Sequence, residues 1–298
     1  MVLCDLSEVK KLNFDAFVKD IKDNGWNVFG TEVYKNGELI HSYGDTDENL
    51  HLIYSATKTI LSIAVGIASD ENKFDISRSL LSYLPSDKVS GLSAGQKVVF
   101  EKITIKRLLT MSVGGFPFRA EGGNYLDFAL STVIANPDER VFNYSNISAY
   151  LVGAALTEAL GTDLAYFIEE RIFAPLGIDR YEYSRSPEGY FYGASGMKLT
   201  VNELSRIGLL LYQKGMYNGK RIVSEAYVDE ATSVQQDCRE GGYGYFIWKY
   251  RDGFSINGKL KQKCYVLPKQ DLVITYLSHI EDESHDLVNS MEKNILGI

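Results

Sequence analysis

Ser55 and Lys58 stand three residues apart at the head of a long apolar run, Thr59 to Ala68. That spacing puts both side chains on one face of a helix. A serine in the first helical turn sits among backbone N–H groups that have no intrahelical acceptor. Those donors, with the helix dipole, favour negative charge developing on a carbonyl under attack. A lysine so close to a core is costly as an ammonium, so its pKa falls and it can accept the serine proton. Three further Ser-x-x-Lys matches, Ser7/Lys10, Ser195/Lys198 and Ser290/Lys293, precede no long apolar helix and read as caps with surface lysines. A second cluster, Phe142-Asn143-Tyr144-Ser145-Asn146, precedes another apolar run, Tyr150 to Leu156. A tyrosine beside a lysine ammonium has its own pKa lowered and can shuttle a proton between nucleophile and leaving group. Asn146 can orient Lys58 or donate to a substrate amide. The plainer reading of this cluster is a helix start capped by Ser145 or Asn146.

The elements that must carry these residues follow from hydrophobic period. A helix is expected over about residues 7–22. β-like runs 26–34 and 38–43 flank Asn36-Gly37, a type I′ hairpin signal. The same texture returns near the C-terminus, with antiparallel strands expected over 243–250, 254–257, 262–267 and 272–277, and a turn at 268–271. A closing helix, about 284–296, places Leu287, Val288, Met291 and Ile295 on one face. Between these ends the period is helical over 59–69, 104–111, 145–160, 164–173 and 201–213. The expected fold is therefore α+β. An antiparallel sheet built from both termini (1–75 and 236–298) is flanked by helices, a mostly helical domain (76–235) is inserted, and the site lies at their junction.

Ser55-Ala-Thr-Lys58 followed by Tyr144-Ser-Asn146 resembles the first two motifs of the serine β-lactamase and penicillin-binding-protein superfamily. The resemblance is closest to its tyrosine-containing branch: class C β-lactamases, D-Ala-D-Ala carboxypeptidases and related esterases and amide hydrolases. The stretches Ile103 to Gly115 and Gly193 to Gly208 resemble recurring segments of the same superfamily. The resemblance implies a β-lactamase/transpeptidase-like fold and two-step acyl transfer without metal or organic cofactor. Ser55 would be the nucleophile, and Lys58 and Tyr144 its proton-transfer partners. The superfamily's third motif, Lys-Thr-Gly or His-x-Gly on a strand facing the site, falls on Ile256-Asn257-Gly258, where Ile256 replaces the cation or imidazole. Gly258 would let the strand approach the substrate, and the Lys259 N–H would complete an oxyanion hole with that of Ser55. Without the cation, the usual partner of a β-lactam or peptide carboxylate is missing. The expected substrate is thus a small-molecule ester or neutral amide. β-Lactamase or carboxypeptidase activity, and a degenerate member that binds a ligand without turnover, are the alternatives.

Composition sets the outer bounds. Of 298 residues, 45% are hydrophobic and 23% charged, enough to bury one large domain or two intertwined ones. A net charge of −8 argues against nucleic acid and anionic membranes as general partners, since both call for a basic face. No stretch approaches the ~18 apolar residues of a membrane span. Cys4, Cys238 and Cys264 form neither a disulfide framework nor a metal motif, and the charged N-terminal run lacks a signal peptide's apolar core; both predict a cytoplasmic protein. His41, His51, His279 and His285 have no metal-binding spacing. Gly91-Leu-Ser-Ala-Gly95 matches Gly-x-Ser-x-Gly, but the 96–100 segment after it lacks the helical period of a nucleophile elbow. The tyrosine-rich stretch Tyr181 to Tyr192 reads equally as a pocket wall or as packing at the domain junction.

Overall fold

The computed structural model describes residues 12–298. Asn13 caps helix α1 (Phe14–Asp23) by accepting from the Ala16 N–H at 3.1 Å; the part of the expected N-terminal helix before residue 12 lies outside the described residues. The hairpin follows as strands β1 (Val28–Lys35) and β2 (Glu38–Gly44), with Asn36 and Gly37 both at positive φ, 54° and 81°. That pair of angles is the type I′ turn that matches strand twist.

Four strands from the C-terminal part complete the sheet: β3 (Trp248–Tyr250), β4 (Gly253–Gly258), β5 (Gln262–Leu267) and β6 (Leu272–Ser278). Their order is β2-β1-β6-β5-β4-β3, and every pairing is antiparallel. The β1–β6 pairing is the seam between the two ends of the chain. Strand β6 is buried along its whole length. Its Leu272, Ile274 and Tyr276 pack on one face with α1 and the C-terminal helix α5 (Asp286–Met291), and its Val273 and Leu277 pack on the other. A strand covered on both faces reads as a continuous apolar run, which is why 272–277 shows little alternation.

Behind the second face lie the central helices α2 (Thr57–Asp70), α3 (Asn146–Leu160) and α4 (Val201–Tyr212), which share one continuous core with the sheet, α4 packing directly on it. Helix α4 packs on β1, β5 and β6 although it lies inside the stretch 76–235, so a covering helix of the sheet comes from within that stretch. Among the described residues no single helix is long and apolar enough to cross a membrane.

Two local expectations are corrected. The 243–247 stretch is not strand: the Tyr245 N–H bonds Ala231 O and the Phe246 N–H bonds Leu109 O, so these donors serve neighbouring helices instead of a ladder. Residues 96–100 are helical after all, within Ala94–Glu101. Ser93 caps that helix in a reciprocal capping box with Gln96, and only Phe100 is buried, so end chemistry rather than period sets it. A short helix (Ser86–Gly91), not a strand, precedes Ser93, and its hydroxyl is occupied in the cap, so no nucleophile elbow exists there.

Candidate active site

The chain enters the site through a two-residue strand, His51–Leu52, paired with Lys198–Leu199, and the Ile53 N–H bonds Met197 O at 3.0 Å. Tyr54 takes φ +48°, and the chain then turns once as a 3-10 segment (Tyr54–Ala56) into α2. A positive φ on a bulky residue costs free energy and persists where surrounding structure dictates it. Here it sits immediately before Ser55.

Lys58 is 1% exposed, inside a helix whose residues 57–68 are all buried. Its Nζ lies 3.0 Å from Ser55 Oγ, 2.8 Å from Asn146 Oδ1 and 2.7 Å from Ala194 O. These three neighbours are neutral, so nothing offsets the cost of burying an ammonium, and burial pulls the amine down from its ordinary value to about 7. With its proton gone, the nitrogen keeps two donors, which match Asn146 Oδ1 and Ala194 O. Its lone pair is then free to accept from the Ser55 hydroxyl.

Tyr144 stands over the same amine, with its ring centroid 5.0 Å from Lys58 Nζ. The expectation of a lowered phenol pKa is corrected. Burial pushes Tyr144 up to about 12, only partly opposed by the Ser55 hydroxyl, because no full positive charge stands by to favour phenolate. Tyr144 is held as a neutral phenol, a proton donor. The segment that presents it is laced from below: Asn143 Nδ2 donates to Val113 O and Phe116 O, and the Asn143 N–H to Met111 O. The buried Arg107 guanidinium donates to the carbonyls of Lys102, Ser112, Pro137 and Glu139. The segment resembling the superfamily around residues 103–115 is therefore the scaffold under Tyr144. Ser145 is the N-cap of α3, its Oγ accepting from the Ile147 N–H at 3.0 Å, which leaves the Asn146 amide free for Lys58.

Strand β4 closes the other side. A Cβ on Gly258 would lie 2.2 Å from Ile53 O, so only glycine allows β4 to approach the turn carrying Ser55 this closely. Lys259 follows in a tight turn whose Leu260 and Lys261 carbonyls accept from Ser278 Oγ at 2.8 and 3.2 Å. A cleft of about 520 Å³ runs from Ser55 and Tyr144 across Gly258 and Lys259, walled by Phe118 and Trp248. The structure thus brings Ser55, Lys58, Tyr144, Asn146, Gly258 and Lys259 together. It does not bring Ile256 into the cleft. Alternation along β4 turns that side chain to the opposite face, fully buried with Cys264 in the core, while Ser255 and Asn257 face the cleft. Sequence reasoning gave no role to Ala194 O, Asn257 or Lys263: Ala194 lies in the Gly193–Gly208 segment and Asn257 is the middle residue of the third motif, while Lys263 belongs to no motif. Most of the 181–192 stretch packs away from the cleft, with Tyr181 on Phe173, Tyr183 on Phe191, and Tyr190 and Tyr192 on Tyr150, though the Tyr192 hydroxyl also bonds the Asn146 side chain.

The Beta-lactamase family model matches residues 28–293, which take in the whole six-stranded sheet and every helix of the site. The chain belongs to the Beta-lactamase family. A family relative named 6-aminohexanoate-dimer hydrolase, from Paenarthrobacter ureafaciens, is 20% identical over 89% of this chain and 76% of its own. Two solved structures share the fold. A Bacillus anthracis chain with the provisional name 6-aminohexanoate-dimer hydrolase gives a TM-score of 0.76 at 21% identity, covering 94% of this chain and 80% of that one. A penicillin-binding-protein homologue from Caulobacter crescentus gives 0.72 at 14% identity, covering 96% of each. Within this hydrolase family the antiparallel sheet and inserted helices are the β-lactamase/transpeptidase-like fold that the motifs implied.

Proposed function

We propose that this Beta-lactamase family member is a serine hydrolase that cleaves a small-molecule amide or ester bond through a Ser55 acyl-enzyme. The observation that carries the reading is the Lys58 amine, buried among neutral acceptors 3.0 Å from Ser55 Oγ and brought to about 7. An amine of that basicity is neutral in a large fraction of molecules near neutral pH and is placed to take the serine proton. In the proposed step, Ser55 Oγ bonds to the substrate carbonyl carbon as its proton passes to Lys58. The N–H groups of Ser55 and Lys259 hold the oxyanion. Collapse breaks the bond to the leaving group, which takes a proton from the Tyr144 phenol, and Lys58 returns its proton to Tyr144. Water then attacks the acyl carbon and gives a proton to Lys58. The second tetrahedral intermediate collapses by breaking the bond to Ser55 Oγ, which takes that proton back from Lys58, so the acid product leaves and the enzyme is regenerated.

An amide is favoured over an ester because a neutral phenol within the site can protonate the leaving nitrogen, which departs far less readily as an anion than an alkoxide or aryloxide does. The name of the Paenarthrobacter relative, an amide hydrolase, points the same way. Intact-protein mass after a fluorophosphonate, a penicillin and a short aryl ester, on wild type and Ser55→Ala, tests the reading. A serine-dependent fluorophosphonate adduct with ester turnover is expected. A stable penicilloyl adduct or penicillin hydrolysis would move the protein to the β-lactamase side, and no adduct from any probe would mean a binding protein without turnover.

A further inference from the structure

The cleft extends past the Ser55–Lys58–Tyr144 group onto the face of the sheet that carries Ser255, Asn257, Lys263 and Tyr265. The β4–β5 register pairs Asn257 directly with Lys263, and Ser255 with Tyr265, so each pair points the same way. The Asn257–Lys263 row lies one residue from Gly258, the closest approach of β4 to the turn of Ser55.

Two features of this row are unaccounted for by folding. Among the described residues the Lys263 ammonium has neither an ion-pair partner within 4 Å nor a hydrogen-bond acceptor; the Tyr265 ring stands 5.9 Å from Nζ. Asn257 Oδ1 is buried without a partner. A largely buried cation left without an acceptor is costly in an empty site and is relieved by an anionic ligand; the buried Asn257 oxygen calls for a donor, so of that amide only Nδ2 can serve an anion. The surrounding charge favours an anion. Lys249 and Lys259 also line the cleft, while Lys261 behind the row is already neutralised by Asp282 at 3.0 Å. Glu240 is the one carboxylate on the lining, and His285 and Tyr250 complete the titratable groups there.

We propose that Lys263, with the Asn257 amide beside it, binds a carboxylate on the substrate, supplying from the neighbouring strand the cation that Ile256 does not. The Asn257 amide, turned so that Nδ2 faces the ligand, donates alongside the ammonium. The substrate class is then an amide or ester that carries a carboxylate some bonds away from the scissile carbonyl, rather than a wholly neutral one. Burial and the neighbouring Lys261 lower the Lys263 amine to about 8, so it still carries its proton in most molecules at pH 7. The position of the scissile bond rests on the serine-hydrolase reading; the binding of the carboxylate does not.

The test therefore separates binding from turnover. N-acetyl-6-aminohexanoate and N-acetyl-4-aminobutanoate, each against its neutral carboxamide, are titrated calorimetrically into Ser55→Ala at pH 7. At least one acid is expected to bind about tenfold or more tightly than its carboxamide. That preference should collapse in Ser55→Ala/Lys263→Met and persist in Ser55→Ala/Lys263→Arg, with circular dichroism checking that each variant folds. Should Lys263→Met unfold, Lys263→Gln takes its place. No preference for either acid, or a preference that survives loss of the cation, overturns the subsite. Aryl ester turnover by wild type is followed in parallel. Carboxylate binding without turnover would retain the subsite and remove the hydrolase reading, and turnover without carboxylate preference would do the reverse.

Discussion

At the scale of single residues, the chemistry turns on how the site divides one proton between two buried groups. Burial lowers Lys58 to about 7 and raises Tyr144 to about 12, which in the proposed mechanism makes the amine the base and the phenol the acid. Replacing Lys58 by Met keeps the stem in the core and removes the base. Fluorophosphonate labelling and ester turnover should fall about 10²–10⁴-fold with the circular dichroism spectrum unchanged. Near-normal labelling would take Lys58 out of the mechanism. The pH dependence has a definite sign. Lys58 acts when unprotonated, so kcat/KM for a neutral aryl ester, which makes no use of Lys263, should rise about tenfold per pH unit below 7 and level off above it, with no descending limb before pH 10 because Tyr144 stays protonated. A profile flat from pH 5 to 8 would contradict the assignment of the base.

At the scale of elements, the site is a meeting of three chain segments that no local rule joins. The turn at Tyr54–Ala56 delivers Ser55, the N-terminus of α3 delivers Tyr144 and Asn146, and the end of β4 delivers Lys259. Gly258 governs the last of these contacts. In Gly258→Ala the new methyl group meets Ile53 O, and either the strand or the nucleophile turn must retreat. The expected cost is about 1–3 kcal/mol of stability, read as a lower denaturation midpoint, together with a loss of up to about 100-fold in kcat from misplacement of the oxyanion donors. Unchanged kcat in that variant would place the oxyanion hole elsewhere.

At the scale of the whole molecule, a buried base ties stability to pH. The folded-state pKa of Lys58, about 7, lies below the ordinary lysine value near ~10.4. Between those limits the unfolded chain binds more protons than the folded one, so this group makes stability rise with pH across that window. Lys263, lowered to about 8, acts in the same direction. Comparing wild type with Lys58→Met isolates the Lys58 contribution: the Tm of wild type should gain on that of the variant from pH 7 to pH 10. A constant difference would mean that Lys58 is charged in the folded protein across the range.

Much of this was legible in the residues alone. Ser55, Lys58, Tyr144 and Asn146 announce themselves because each stands at the start of an apolar helix, where a polar side chain needs a reason. The Asn36-Gly37 turn and the run 272–277 fix a hairpin and a buried strand by local sterics and hydrophobicity. Local chemistry also misled: the capping box at Ser93 made a helix where the apolar period showed none, and 243–247 looks like strand, but its Tyr245 and Phe246 donors go to helices. Tertiary structure alone decided the rest. Hydrophobic pattern says which positions are buried, not which buried groups end up facing one another. Only the packing of α2 among neutral acceptors set the proton affinity of Lys58. Only the β4–β5 register turned Ile256 into the core and brought Asn257 and Lys263, six residues apart in sequence, side by side in the cleft.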